Sequence, residues 1–454
     1  MTTFSKPYLQ QPVSAPAELR AFLAAGGRPA SSWGVGPEIE KLVVDAQTGE
    51  AAPFSRVEAL LVDMEAAGGW RGVREEGRLI ALIGPASSIT LEPGGQLELS
   101  GGLRPDIHCC QGDLTRHLRD IVARSAERGL CFLGLGVQPF TPPERIDWLP
   151  KARYAVMGPY MARTGDMGQR MMKQTAGLQV NLDFADEGDA VDKLRLAMAM
   201  APLLYALFAN SPLLDGKPSG FLSTRGEIWS RTDPDRCGLI PAMFRDGAGL
   251  DTYVDYALDV PMYFIVRDGR YLDLTRERFT FRRFLVEGHA GERATLADWD
   301  LHLSTLFPEA RLRPHLEIRS ADSLPPKMIL AVSALLKGIF YDETAQGEAW
   351  KLFSGQSDAE RDTLYWQSWR MGLRTPHGRR TLRETALDVI AVARDGLRRQ
   401  GRRDSRGVDE TIFLDGVEEI AASGVTLAER LLGRWHGSRA EKVAILRDHC
   451  GFSM

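Results

Sequence analysis

The chain is poor in cysteine, lacks a long apolar run and carries little surplus charge. Its 454 residues include 5 cysteines, the adjacent pair Cys109-Cys110 and the isolated Cys131, Cys237 and Cys450. An odd number without repeated spacing excludes a disulfide scaffold and points to a reducing compartment. CxxC is absent, which argues against a structural zinc site. The longest apolar run, Leu196 to Ala209, falls short of the roughly 18 residues a membrane span needs and contains Pro202. The N-terminal segment places Gln10-Gln11, Pro12 and Pro16 where a secretory signal has its apolar stretch. A cytoplasmic protein is therefore expected. Lys and Arg number 56 against 60 Asp and Glu, a net charge of −4, so neither nucleic acid nor a membrane is the expected main partner.

Nucleotide and hydrolase motifs are missing too. Gly216-Lys217-Pro218 has the wrong neighbours for a phosphate-binding P-loop, and Gly134-Leu135-Gly136 runs into Val137 instead of completing GxGxxG. Neither GxSxG nor HExxH occurs. Any nucleotide must be held without a glycine loop.

What is present is ample core material, 44% apolar and 26% charged. Pro16 is placed to open a helix that Gly26-Gly27 stops. Val57, Leu60, Leu61 and Met64 recur at helical spacing, with Ser55 as the expected cap. Leu114, Leu118, Ile121 and Val122 predict another helix, followed by a strand at 131–134. Segment 190–209 reads as a buried helix broken or kinked at Pro202. Strands are expected at 38–44, 176–184, 261–266 and 313–319. Pro93-Gly94-Gly95 joins Ile89–Glu92 to Gln96–Leu99 as an antiparallel hairpin. Beyond Pro325 the pattern is almost wholly helical. These features predict an α+β fold, with a catalytic body over 1–340 and a helical C-terminal portion over 341–454 packed on it.

The strands share an unusual feature. Side chains at i and i+2 lie on one face of a sheet. Glu38 and Glu40 share a face, as do Gln179, Asn181 and Asp183, and as do Glu317 and Arg319. Glu98 points away from Leu97 and Leu99. A water-facing strand also alternates, yet Glu is normally scarce in strands. If the strands join one sheet, the acids converge, and a divalent cation then relieves their repulsion. Mg²⁺ takes oxygen ligands and bridges carboxylates to nucleotide phosphates, while Arg319 offers a planar cation for phosphate oxygens. A phosphoryl-transfer site is expected.

The same residues carry a resemblance. Leu91-Glu-Pro-Gly-Gly-Gln-Leu-Glu-Leu-Ser-Gly101, Gln179-Val-Asn-Leu-Asp-Phe184, Gly216-Lys-Pro-Ser-Gly-Phe-Leu-Ser-Thr-Arg225, Asp255-Tyr-Ala-Leu-Asp-Val-Pro-Met-Tyr263 and Leu316-Glu-Ile-Arg-Ser-Ala-Asp322 resemble the plant-type glutamate–cysteine ligases. The likeness runs in order from about residue 30 to about residue 450. It implies a glutamine-synthetase-like fold, in which a curved antiparallel sheet with flanking helices carries Mg²⁺ and ATP. It also implies a reaction, the joining of the glutamate γ-carboxylate to the amine of cysteine through γ-glutamyl phosphate. Carried over by residue, Glu38, Glu40, Glu92, Glu98 and Glu317 match metal-binding positions. Gln179, Asn181 and Arg319 match nucleotide-binding positions, with Arg319 and Glu317 catalytic. Arg153, Arg225 and Trp229 match positions that hold substrate glutamate. A monomer or homodimer with small-molecule substrates follows.

Departures leave alternatives open. Ser320 stands where the family usually has glycine, Ser323-Leu324-Pro325 replaces a Gly-Gly-Pro, and Lys173-Gln-Thr-Ala-Gly-Leu178 replaces an Arg-Thr-Cys-Thr-Val form. A γ-glutamyl ligase with another amine acceptor is the second reading. A nucleic-acid-binding protein, suggested by Arg394, Arg398, Arg399, Arg402, Arg403 and Arg406, is the remote third; that run lacks the aromatics that stack on single strands.

Overall fold

Alternating polar and apolar residues make Val35–Asp45 the first strand, β1, in a computed structural model that describes residues 9–453. Along the chain follow β2 (Arg71–Glu75), β3 (Arg78–Ile83), β4 (Ser87–Leu91), β5 (Leu97–Gly101), β6 (Leu130–Leu133) and β7 (Gly177–Leu182). The sheet is completed by β8 (Ala310–Arg313) and β9 (His315–Asp322). These form a 9-stranded sheet in the order β8-β9-β7-β1-β5-β4-β3-β2, with β6 pairing the far half of β1. Every pairing is antiparallel. The 261–266 strand is shorter than expected, Phe264–Arg267, and pairs outside this sheet with Arg270–Asp273.

The β4–β5 hairpin turns where Pro93-Gly94-Gly95 predicts. Gly95 adopts φ +82°, and its N–H donates to Glu92 O at 2.8 Å. A Cβ on Gly94 would lie 2.3 Å from Lys173 O, so the turn docks tightly on the helix Gly168–Gln174.

Helices cover the sheet, and several differ from their sequence signals. Pro16 opens the helix Pro16–Ala24 as expected. The next helix, Phe54–Ala66, follows Pro53, so Ser55 lies inside it and does not cap it. The helix expected from Leu114 begins at Ile107, because the Asp106 side chain accepts from Cys109 N–H at 2.7 Å. Glu187–Leu207 is one helix that continues through Pro202. Its residues from Leu196 onward are buried, and that packing outweighs the hydrogen bond proline cannot make.

Beyond residue 325 helices dominate, relieved by the small hairpin Pro376–His377 with Arg380–Thr381. The chain's end returns to the sheet: Gly134 N–H donates to Cys450 O at 2.9 Å and Phe452 N–H to Phe132 O at 3.0 Å. A buried ion pair fastens the helical portion. Lys337, on the helix Ile329–Phe340, meets Glu410, which also accepts from Ile107 N–H at 2.6 Å. Removing one partner strands a buried charge, so Lys337→Met should cost about 3–5 kcal/mol. Urea unfolding measures this, and an unchanged midpoint refutes it. No helix among the described residues is long and apolar enough to cross a membrane. In the basic run, Arg394, Arg398, Arg399 and Arg406 each pair with an acid, which leaves little unbalanced charge for a nucleic acid.

Candidate active site

Strand register builds the site. Glu40 on β1 lies directly opposite Glu98 on β5, and Glu38 opposite Gln179 on β7. Asn181 lies opposite Glu317 on β9, and Glu317 opposite Arg311 on β8. Directly opposed residues share a face. The polar face is covered by other elements, so these groups are buried: Glu38 is 5% exposed, Glu98 5% and Glu317 0%. At Ile318–Ala321 the β9–β7 register shifts by a bulge. Such a kink re-aims a side chain. Arg319 sits in it and faces Gln179.

A continuous hydrogen-bonded chain crosses the strands. Arg319 Nη1 donates to Glu317 and to Gln179 Oε1, the latter at 2.5 Å. Gln179 Nε2 donates to Glu40 Oε1 at 2.8 Å, and Glu40 Oε2 accepts from Gly177 N–H at 2.5 Å. Glu38 Oε1 accepts from Asn181 Nδ2 at 3.0 Å, and Glu98 from the Thr90 hydroxyl.

Charge divides the acids into two kinds. Burial, with Glu98 and Glu317 close by, raises the Glu38 carboxyl well above the ordinary carboxylate range. Burial, with Glu92 and Glu98, pushes Glu40 up to about 7. Burial acts the same way on Glu317, but there Arg311 and Arg319 outweigh it and hold the carboxyl far below the usual range. Glu38 and Glu40 are thus short of positive charge, and Glu317 is supplied with it.

The structure brings most of the expected residues to one cavity. Glu38, Glu40, Glu92, Glu98, Gln179, Arg319, Arg153 and Trp229 line it. Three others stand behind the wall. Both oxygens of Glu317 are taken by guanidinium groups, Asn181 is bonded to Glu38, and Arg225 donates to Arg319 O at 3.0 Å. Arg225 is 3% exposed, and its Nε and Nη1 have no partner. Asp183, read as sharing the Gln179 face, turns instead to Gly34 N–H at 2.8 Å and to Arg28. Asp183 lies one residue past the end of β7 and does not line the cavity.

Sequence reasoning missed other members of the wall: Arg311, Arg313, Gln96, Tyr154 and the methionines 157, 171 and 172. The alternation Arg311-Leu312-Arg313 was a visible signal for the two arginines. The methionines come from the helices Ala152–Thr164 and Gly168–Gln174, whose approach to the sheet no local pattern reveals. Of the departures from the family pattern, those at Ser320 and Ser323 are absorbed locally, while the 173–178 segment reaches the cavity through Thr175. Ser320 donates to Glu309 Oε2 at 2.7 Å and Ser323 to Glu40 O at 2.6 Å, and neither lines the cavity. Lys173 is engaged by the carbonyls of Pro143 and Ile146.

An antiparallel sheet with buried acids and arginines on its covered face defines an α+β enzyme with a charged small-molecule site. Comparison with known proteins makes the assignment specific. The profile of glutamate-cysteine ligase family 2 matches residues 34–445, and the chain belongs to that family. The chloroplastic glutamate–cysteine ligase of Brassica juncea is 41% identical over 94% of this chain and 82% of its own. The chloroplastic enzyme of Medicago truncatula is 40% identical over 94% of this chain and 83% of its own. A crystal structure of glutamate–cysteine ligase from Francisella tularensis in complex with AMP superposes with TM-score 0.54 at 13% identity, covering 92% of this chain and 88% of that one. That likeness bears on the fold, which is α+β as expected. The relatives correct one expectation: they are chloroplastic, so the cytoplasmic reading is withdrawn. Compartment is set by targeting segments, which the composition of a folded body does not report.

Proposed function

We propose that the chain is an ATP-dependent glutamate–cysteine ligase, catalysing the first step of glutathione biosynthesis in the cavity on its acidic sheet face. The observation that carries this reading is the convergence of Glu38, Glu40, Glu92 and Glu98 with Arg319 in one cavity. A carboxylate is a poor acyl donor until one oxygen becomes a leaving group. Phosphorylating the glutamate γ-carboxylate with ATP does this, and the cysteine amine then displaces phosphate.

The donor set fits Mg²⁺. Its oxygens are hard ligands, and Glu38 and Glu40 lack compensating charge. Among the described residues no cluster of three or more acidic, His or Cys side chains forms a ready-made metal cage. That accords with an ion that takes one or two carboxylates and completes its shell with water and phosphate oxygens. Bound by one or two of Glu38, Glu40, Glu92 and Glu98, Mg²⁺ would neutralise phosphate charge. Arg319 directs its remaining N–H groups at the transferring phosphoryl group. Gln179 and Asn181 fix the orientations of Arg319 and Glu38. Arg153 and Trp229 hold glutamate, whereas Arg225 stands behind the wall and supports the Arg319 backbone through its carbonyl. The covered sheet face keeps water from the acyl phosphate.

Cysteine as acceptor rests on the family, since Ser320 and Ser323 lie outside the cavity wall while Thr175 of the 173–178 segment lines it. Purified protein with ATP, Mg²⁺, glutamate and cysteine should release ADP and γ-glutamylcysteine in equal amounts. Cysteine-dependent ADP release without that dipeptide would reject the reading.

A further inference from the structure

We propose that Arg311 is a positioning residue, acting through Glu317 to hold Arg319 in its reactive place. This rests on the ligase reading above.

The geometry is specific. Arg311 lies directly across the β8–β9 pair from Glu317. Its Nε and Nη2 fork onto the carboxylate at 3.2, 2.8 and 2.7 Å. Its Nη1 donates to the carbonyls of Ser304 at 2.9 Å and Leu306 at 2.7 Å. Those carbonyls follow the helix Leu296–Leu303, so the guanidinium is anchored to a second element. Arg311 is 4% exposed, and Glu317 is 0% exposed.

The consequence lies at Arg319. Glu317 is one of two side chains that take its Nη1, the other being Gln179. A buried carboxylate demands compensating cations. With Arg311 in place, two guanidinium groups share that demand, and Arg319 keeps its other N–H groups for the cavity. Without Arg311, Glu317 would claim a two-pronged bond from Arg319 and draw it back from the phosphoryl group. Arg311 therefore sets how much of Arg319 is available to substrate. A purely structural tie between strand and helix would change stability and leave the reacting groups alone.

The test compares Arg311→Gln, Arg311→Lys, Arg319→Ala and the double variant Arg311→Gln/Arg319→Ala in full-length enzyme. Thermal unfolding is followed alongside kcat and KM for γ-glutamylcysteine formation. Arg311→Gln should lower kcat by about 10²-fold, the range seen when one transition-state donor is lost, with KM values moved much less. On the Arg319→Ala background the same change should add less than about threefold, because residues acting through one another are not additive. Arg311→Lys keeps the charge and loses the fork, so it should retain the fold and recover part of kcat. Near-parental kcat in either folded variant, or losses that multiply in the double variant, would overturn the proposal. Should Arg311→Gln not fold, Arg311→Lys decides alone: a kcat reduced about tenfold at unchanged KM supports it, and parental kcat overturns it. A parent protein that makes no γ-glutamylcysteine fails the ligase reading itself and is recognised before any variant is made.

Discussion

Arg319→Ala should lower kcat by about 10²-fold or more, the loss that follows removal of one preorganised donor to a developing charge. Arg319 is 9% exposed, sits in the β9 bulge and is held by Glu317 and Gln179. Its ring neighbours are Trp229 and Phe307, each 5.7 Å away. These restraints place the guanidinium before substrate arrives, so little reorganisation is needed during reaction. Steady-state kinetics with saturating ATP, glutamate and cysteine measures the effect. A variant that keeps near-parental kcat would assign the phosphate contact to another cation of the wall, Arg153 or Arg313.

Glu38→Gln and Glu98→Gln should raise the Mg²⁺ concentration needed for half-maximal rate by about tenfold or more, as weakened metal sites typically require. Glutamine keeps nearly the same shape and removes the charge. For Glu38 the folded protein should tolerate this well, because the carboxyl is buried among acids that disfavour its charged form. Unfolding midpoints at or above the parent's are therefore expected together with the weaker metal response. Rates titrated with Mg²⁺ at fixed ATP distinguish the two effects. An unchanged Mg²⁺ requirement in both variants would remove these acids from the metal site.

Much of this site was legible because it depends on period-two alternation. Glu38, Glu40, Glu98, Gln179 and Glu317 were placed on faces by parity, and parity survives any correct strand pairing. What parity cannot supply is partnership. Nothing local states that Glu317 faces Arg311 and not water, or that β9 carries a bulge at Arg319, because both depend on which strand lies alongside. Helix errors have a similar origin. The start at Ile107 rests on one Asp106 hydrogen bond, and the passage through Pro202 rests on burial by distant residues. The methionine wall was illegible for the same reason, since Met157 and the Met171-Met172 pair meet the acids only after the helices dock on the sheet.

The most direct measurement is a crystal structure with Mn²⁺ and a non-hydrolysable ATP analogue, located by the anomalous signal of the metal. The account predicts a metal peak in the cavity bounded by Glu38, Glu40, Glu92 and Glu98, with the triphosphate between it and Arg319. A metal and triphosphate bound elsewhere on the molecule, with that cavity empty, would contradict it.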